Sequence, residues 1–213
     1  MKKIGILGSG VVGQTLGSGF IKHGYQVMIG TRDIGKLIEW ATAEGEQAHT
    51  GSFKEAADFG DTVVLACKGT AVETVLELAG AKQLAGKTII DATNPIEEAA
   101  PDDGVLRFFT RQNQSLMEIV QSKFPDAHFV KAFNSVSYLK MVNPVFESKP
   151  TMFICGNNEV AKKEVTEILE QFGWETEDFG LATSARGIEA LCMLYCTIGF
   201  RDNRWTQAFK LLT

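Results

Sequence analysis

Residues 8–13 read Gly8-Ser9-Gly10-Val11-Val12-Gly13, a GxGxxG pattern set between an apolar strand-like run, Lys3 to Leu7, and a helical run, Val11 to His23. Glycine is common here, 21 of 213 residues, so the spacing alone carries little. Its position at a strand-to-helix junction makes it specific. The first glycine permits the tight turn, the second lets backbone amides approach a pyrophosphate, and the third lets helix and strand pack closely. A helix opening there directs its N-terminal amides at the anion. The pattern therefore predicts a βαβ unit that binds a dinucleotide.

The rest of the chain continues the alternation of strand and helix expected of a parallel sheet. Strands are predicted at Tyr25 to Ile29, Gln47 to Thr50, Thr62 to Ala66, Lys87 to Ala92 and Ala127 to Ala132. Helices are predicted at Ile34 to Ala43, Phe53 to Phe59, Ala71 to Leu78 and Ser115 to Phe124. Thr93 to Asn113, with Pro95, Pro101 and Asp102-Asp103-Gly104, reads as a long irregular loop over one rim. Beyond Pro144 and Pro150 come a strand at Thr151 to Cys155, a helix at Val160 to Phe172, a strand at Trp174 to Asp178 and a long helix at Ser184 to Phe200. The expected fold is α/β, a Rossmann-type doubly wound parallel sheet. Residues 1–143 form the cofactor-binding domain, and 144–213 a small C-terminal α/β extension packed on it.

The second strand ends in Ile29-Gly30-Thr31-Arg32, where NAD-specific folds present an acid to the ribose 2′-hydroxyl. A hydroxyl followed by a guanidinium suits a 2′-phosphate instead, since arginine offers a planar fork of donors. Lys36 adds a second positive charge, so NADP(H) is the expected cofactor. Asp33, just before a helical run, reads as an N-cap. Three later loops should share the same sheet edge: Cys67-Lys68-Gly69-Thr70, Thr93-Asn94-Pro95-Ile96 and Phe133-Asn134-Ser135. An amide at the rigid Asn94-Pro95 turn can fix a carboxamide without offering an acid or a base.

Several function classes are excluded. A net charge of −5 without basic runs leaves no footprint for nucleic acid. No stretch approaches the ~18 consecutive apolar residues of a membrane helix, and the glycines after Met1-Lys2-Lys3 interrupt a signal-peptide core. Cys67, Cys155, Cys192 and Cys196 form no CxxC pair and read as reduced thiols of a cytoplasmic protein, with Cys192 and Cys196 packed on one helix face. His23, His49 and His128 lack metal spacing, and Asp178-Phe179-Gly180 lacks the other kinase motifs. Neither a catalytic residue nor a metal ligand is assigned. That fits hydride transfer between two bound redox molecules, which needs orientation rather than a protein nucleophile.

With these segments placed, the chain resembles the deazaflavin (coenzyme F420)-dependent NADP oxidoreductase family, and also the reductase domain of six-transmembrane metalloreductases. The resemblance runs through Ile4 to Gly13, Gly30 to Arg32, Asp91 to Pro95, Val130 to Val136, Phe153 to Asn157 and Ala185 to Leu191. It implies a pyrophosphate turn at Gly8 to Gly13, with Ser9, Gly10, Val11 and Val12 nearest the anion. It implies a 2′-phosphate site at Thr31, Arg32 and Lys36, and a nicotinamide flanked by Asn94, Pro95, Ala132 and Asn134. Where the archaeal deazaflavin enzymes carry a histidine, this chain has Asn134, as the metalloreductase-like relatives do, which leaves the hydride acceptor open.

Two functions are carried forward: an NADPH-dependent reductase of a deazaflavin or flavin-like small molecule, and an NADP(H)-binding regulator without chemistry. A homodimer is expected from the helix at Ser184 to Phe200, whose Ile188, Leu191, Leu194, Tyr195 and Ile198 make a wide apolar surface.

Overall fold

The computed structural model describes residues 2–212. Its strands are β1 (Lys3–Leu7), β2 (Gln26–Gly30), β3 (Ala48–Gly51), β4 (Thr62–Leu65), β5 (Thr88–Asp91), β6 (His128–Lys131), β7 (Thr151–Gly156) and β8 (Glu175–Asp178). They lie side by side in the order β3-β2-β1-β4-β5-β6-β7-β8. The first six are parallel to their neighbours, in the Rossmann order. Four of these strands are short apolar runs with residues of successive parity facing opposite layers: Ile4, Val64, Ile90 and Val130 serve one face, Leu7, Val63, Ile89 and Phe129 the other.

The α-helices are α1 (Val11–Lys22), α2 (Ile38–Glu44), α3 (Phe53–Phe59), α4 (Val72–Ala79), α5 (Ala81–Leu84), α6 (Leu116–Lys123), α7 (Glu159–Gln171) and α8 (Ala185–Asp202). Leu16 and Phe20 of α1, Trp40 of α2 and Val165 and Ile168 of α7 cover one face. Residues of α3, α4, α6 and the start of α8 cover the other. Local chemistry fixes the helix starts: Ser52 and Ser115 each cap α3 and α6, with Glu55 and Glu118 returning the bond to the cap amide.

The parallel arrangement fails at one junction. β7 runs antiparallel to β6, pairing Val130 with Gly156 and Lys131 with Cys155. The link between them holds only a 3-10 turn at Tyr138–Lys140, with no crossover helix to bring the chain back for parallel pairing. β8 then runs parallel to β7. The segment expected to be irregular, 93–113, is partly ordered as a flap: Ile96 bridges Phe108, Glu97 N–H donates to Arg107 O (2.8 Å) and Phe109 N–H to Pro95 O (2.9 Å).

The final residues fold back over α8. Tyr195 Oη donates to Trp205 O (2.6 Å), and Trp205 packs on Gly199, where a Cβ would meet its ring at 2.3 Å. Part of the apolar surface of α8 is thus covered by the chain itself: Ile188 and Tyr195 are buried, while Leu194 remains 59% exposed. No helix among the described residues is long and apolar enough to cross a membrane.

At the edge opposite the strand carboxyl ends, Glu164 of α7 accepts hydrogen bonds from Thr62 and Thr88 and pairs with Lys2. Burial pushes its pKa up, but the bonds from Lys2, Thr62 and Thr88 outweigh it and hold the carboxyl below its ordinary value. The folded chain therefore binds this proton less readily than the unfolded chain. The contribution of Glu164 is present above the unfolded carboxyl value and is lost as pH falls through the lowered folded one. Urea denaturation over roughly pH 3 to 7 should show Glu164→Gln less stable at neutral pH and with a shallower acid slope than the parent. Parallel acid slopes would refute this account.

Candidate functional site

The carboxyl ends of the parallel strands converge where the strand order reverses, between β1 and β4, the place where open α/β sheets bind ligands. A cleft of about 430 Å³ opens there. Gly8 to Val12 form its floor, Thr31, Arg32 and Lys36 one side, and Cys67 and Lys68 the other. The three glycines do three different jobs. Gly8 has φ +139°, and a Cβ on it would lie 2.2 Å from Ala66 O. Gly13 lies against the preceding turn, where a Cβ would sit 2.0 Å from Gly8 O. Gly10 is extended, and a Cβ there would meet nothing within 4 Å. No side chain among the described residues caps α1, which leaves its first-turn amides to water or to a ligand in the cleft.

Beside this cradle, Thr31 Oγ1 lies 3.0 Å from Ser9 Oγ and accepts from the Asp33 N–H (3.1 Å). With Ser9 donating, the Thr31 proton is free for Asp33 O at 3.3 Å or for an acceptor in the cleft. Asp33 caps the following turn, accepting from Gly35 N–H (3.1 Å), which ties its carboxylate to the backbone. Lys36 lies at 4.0 Å from that carboxylate and is well exposed. Arg32 is exposed, with no ion pair among the described residues. The ammonium of Lys68 is already engaged by Glu98 of the flap at 2.9 Å, across the rim.

A second cavity, of about 520 Å³, adjoins the first, and the two linings share only Val12 and Ala92. Asn94 and Asn134 stand at its base, with Tyr138, Tyr195 and Trp205 among its walls. Asn94 Nδ2 donates to Asn134 O (2.8 Å), while Asn134 Nδ2 donates to Ile188 O (2.9 Å) and Asn94 Oδ1 (3.0 Å). Backbone carbonyls thereby fix which way both amides point. The same orientation leaves Asn134 Oδ1 buried with no partner among the described residues, a cost of about 1–3 kcal/mol. The preceding Phe133 sits at φ +62°, a conformation that a bulky residue rarely adopts and that tends to mark functional positions. Ala132 and Pro95 are buried and line neither cavity.

Beneath these loops Lys131, fully buried, meets Asp91 Oδ2 at 2.6 Å and Glu189 Oε1 at 2.9 Å, and donates to Thr93 O at 2.9 Å. Asp91 Oδ2 meets it as an ion pair rather than as an aligned hydrogen bond. Asp91 Oδ1 accepts from the Thr93 N–H and hydroxyl, and Glu189 accepts from the amides of Leu116 and Met117 that open α6. Burial would strip the proton from Lys131, but the two carboxylates hold its pKa above the ordinary lysine value. Sequence reading missed this cluster, although Asp91 and Lys131 are charges closing otherwise apolar strands. It also missed the aromatic walls contributed by Tyr138 and Trp205. Burial, reinforced by the charge of Asp91, raises the Cys67 thiol to about 12, so it holds its proton at neutral pH.

A family model described as coenzyme F420-dependent NADP oxidoreductase matches residues 3–95, from β1 through the Asn94-Pro95 turn. The crystal structure of a protein from Arthrobacter sp. FB24, taken to be an F420-dependent NADP reductase, shares 30% identity with full coverage of both chains and a TM-score of 0.92. This chain belongs to that family. The F420-dependent NADP reductase of Methanocaldococcus jannaschii is 30% identical over 146 residues, 66% of this chain and 63% of its own. Metalloreductase STEAP3 of Rattus norvegicus is 29% identical over 189 residues, covering 89% of this chain and 36% of the relative. The chain thus spans about a third of the length of the metalloreductases it matches.

Within this family member the glycine geometry separates folding from binding. Gly13→Ala should lower the melting temperature clearly, because its methyl meets backbone, whereas Gly10→Ala should melt close to the parent. Equal melting shifts in a thermal scan would show that the open space at Gly10 is not a property of the folded protein.

Proposed function

We propose that the chain is an NADPH-dependent oxidoreductase that transfers hydride between NADP(H) and a deazaflavin or flavin-like acceptor. One juxtaposition carries the reading: an anion cradle with an open glycine adjoins a mostly apolar cavity whose lining includes the two fixed amides of Asn94 and Asn134. The residues fit the cofactor. Backbone amides of Ser9, Gly10, Val11 and Val12 hold the pyrophosphate, between the turns set by Gly8 and Gly13. Thr31, Arg32 and Lys36 take the 2′-phosphate, with Cys67 and Lys68 along the opposite rim. Asn94 and Asn134 belong to the nicotinamide end, with Pro95 and Ala132 buried near them in the chain. When bound, NADPH supplies the hydride. The chain itself orients the ring, beside a second cavity whose lining is mostly apolar.

The relatives' names divide over the acceptor, since the archaeal one is named for coenzyme F420 and the mammalian ones for metals. The flat aromatic walls at Tyr138, Tyr195 and Trp205 favour a planar ring system. Residues 1–143 then serve as the cofactor-binding unit, and 144–213 as the extension that adds Cys192, Tyr195, Cys196 and Trp205 to the lining of the acceptor cavity. Exposed Leu139, Leu194 and Phe200 support a homodimer, which sedimentation at micromolar concentration would test, a monomer ending the idea. The four free cysteines fit work in the cytoplasm.

NADPH offered with a deazaflavin, FMN, FAD or a ferric chelate should be oxidised with at least one of them, the deazaflavin or a flavin first. NADPH binding without oxidation by any would identify a regulator instead. Arg32→Ala should weaken NADPH by roughly tenfold to a hundredfold, since a hydrogen bond to a charged group contributes about 1.5–3 kcal/mol. NADH, lacking the phosphate, should bind the variant as it binds the parent. Equal loss for both cofactors in a titration would mean that Arg32 shapes the loop rather than reading the phosphate.

A further inference from the structure

Cys192 and Cys196 lie one turn apart on α8, with their sulfurs 3.8 Å apart. Both line the second cavity, Cys192 buried and Cys196 half-buried. Neither is needed for the hydride chemistry described above. A direct S–S bond, about 2.05 Å long, would require this helical turn to contract. A single bridging atom with two bonds to sulfur requires no such change. Around the pair the cavity is mostly apolar, with Val136, Met141 and Tyr195 close by.

We propose that Cys192 and Cys196 form a dithiol site for a trivalent arsenical, and that its occupation fills the acceptor cavity while leaving the cofactor cleft open. The reaction is a condensation. The two thiols lose their protons, two S–As bonds form, the oxide oxygen of R–As=O leaves as water, and arsenic stays trivalent, so no oxidant or reductant is consumed. Attack begins at Cys196, which is the more accessible and whose pKa is lowered by the hydrogen bond from Cys192, with burial opposing. Cys192 closes the ring. Cys155 lies against Met117 and Cys67 sits on the loop after β4; at either, an arsenical gains one sulfur bond, which a monothiol reverses readily.

The effect on turnover rests on the assignment of this cavity to the acceptor; the dithiol site does not. The intact chain treated with phenylarsine oxide should carry one adduct that survives 2-mercaptoethanol and is released by 2,3-dimercaptopropanol, with two thiols lost to titration. Cys196→Ser and Cys192→Ala should each abolish the resistant adduct, both variants being checked for parental melting. A resistant adduct that persists in either variant, or a parental adduct removed by the monothiol, would overturn the proposal. The treated protein should still bind NADPH through the first cleft but fail to reduce its acceptor. If the adduct forms as expected but turnover is untouched, the dithiol site stands and the acceptor assignment falls.

Discussion

A single buried ammonium ties together the loops on which the site is built. Lys131 ends β6, Asp91 ends β5 and Glu189 lies in the second turn of α8, so the pair of ion contacts joins two strands to the last helix. Two carboxylates and one ammonium leave an excess negative charge in a place with no solvent. The amides of Leu116 and Met117 answer it, because a helix N-terminus carries partial positive charge. Removing one member would leave an uncompensated buried charge, which costs about 3–5 kcal/mol. Thr93, held by both Asp91 and Lys131, precedes Asn94; Ile188, whose carbonyl holds Asn134, precedes Glu189. Each amide of the second cavity is therefore tied to the ion cluster through one intervening residue, Asn94 through Thr93 and Asn134 through Ile188.

The same arrangement explains the orphaned oxygen of Asn134. Each amide hydrogen-bonds backbone that the cluster immobilises, so neither can rotate to satisfy itself. The strained backbone at Phe133 is held by packing against Phe172 and the antiparallel edge, with its amide directed at Met152 Sδ. Strain and an unmet acceptor are tolerated together where the surrounding structure determines the conformation more strongly than the local preference does.

Much of this fold is legible in the sequence because its strands are buried on both faces. Thr62 to Leu65 and Thr88 to Asp91 stand out as apolar runs, and the predicted elements match the observed ones within about two residues, the usual fuzziness of element ends. The GxGxxG turn, and the place of Thr31 and Arg32 at the end of the second strand beside it, were readable since they depend on neighbours in sequence. Strand direction was not: Thr151 to Cys155 reads the same whether it pairs parallel or antiparallel to β6. Nor did any local pattern announce that Trp205 would press on Gly199, or that Lys131 would find Glu189, since both contacts depend on where a distant segment returns. The ordered part of the 93–113 flap was hidden for a related reason, its bridges joining residues too few to show alternation.

The reversal of β7 determines where the final helix goes. In a parallel βα unit the helix runs back from the ligand edge; after two reversed strands it runs towards that edge instead. Glu189 already reaches the level of Lys131, and the remaining turns of α8, at about 1.5 Å per residue, project past the sheet and carry Cys192, Tyr195 and Cys196 to the second cavity. The two cavities are thus drawn from remote stretches of chain that meet only at Val12 and Ala92. Substitutions along the outer half of α8 can reshape what is reduced without disturbing what delivers the hydride, so the architecture allows a lineage to change acceptors while inheriting its nucleotide site intact.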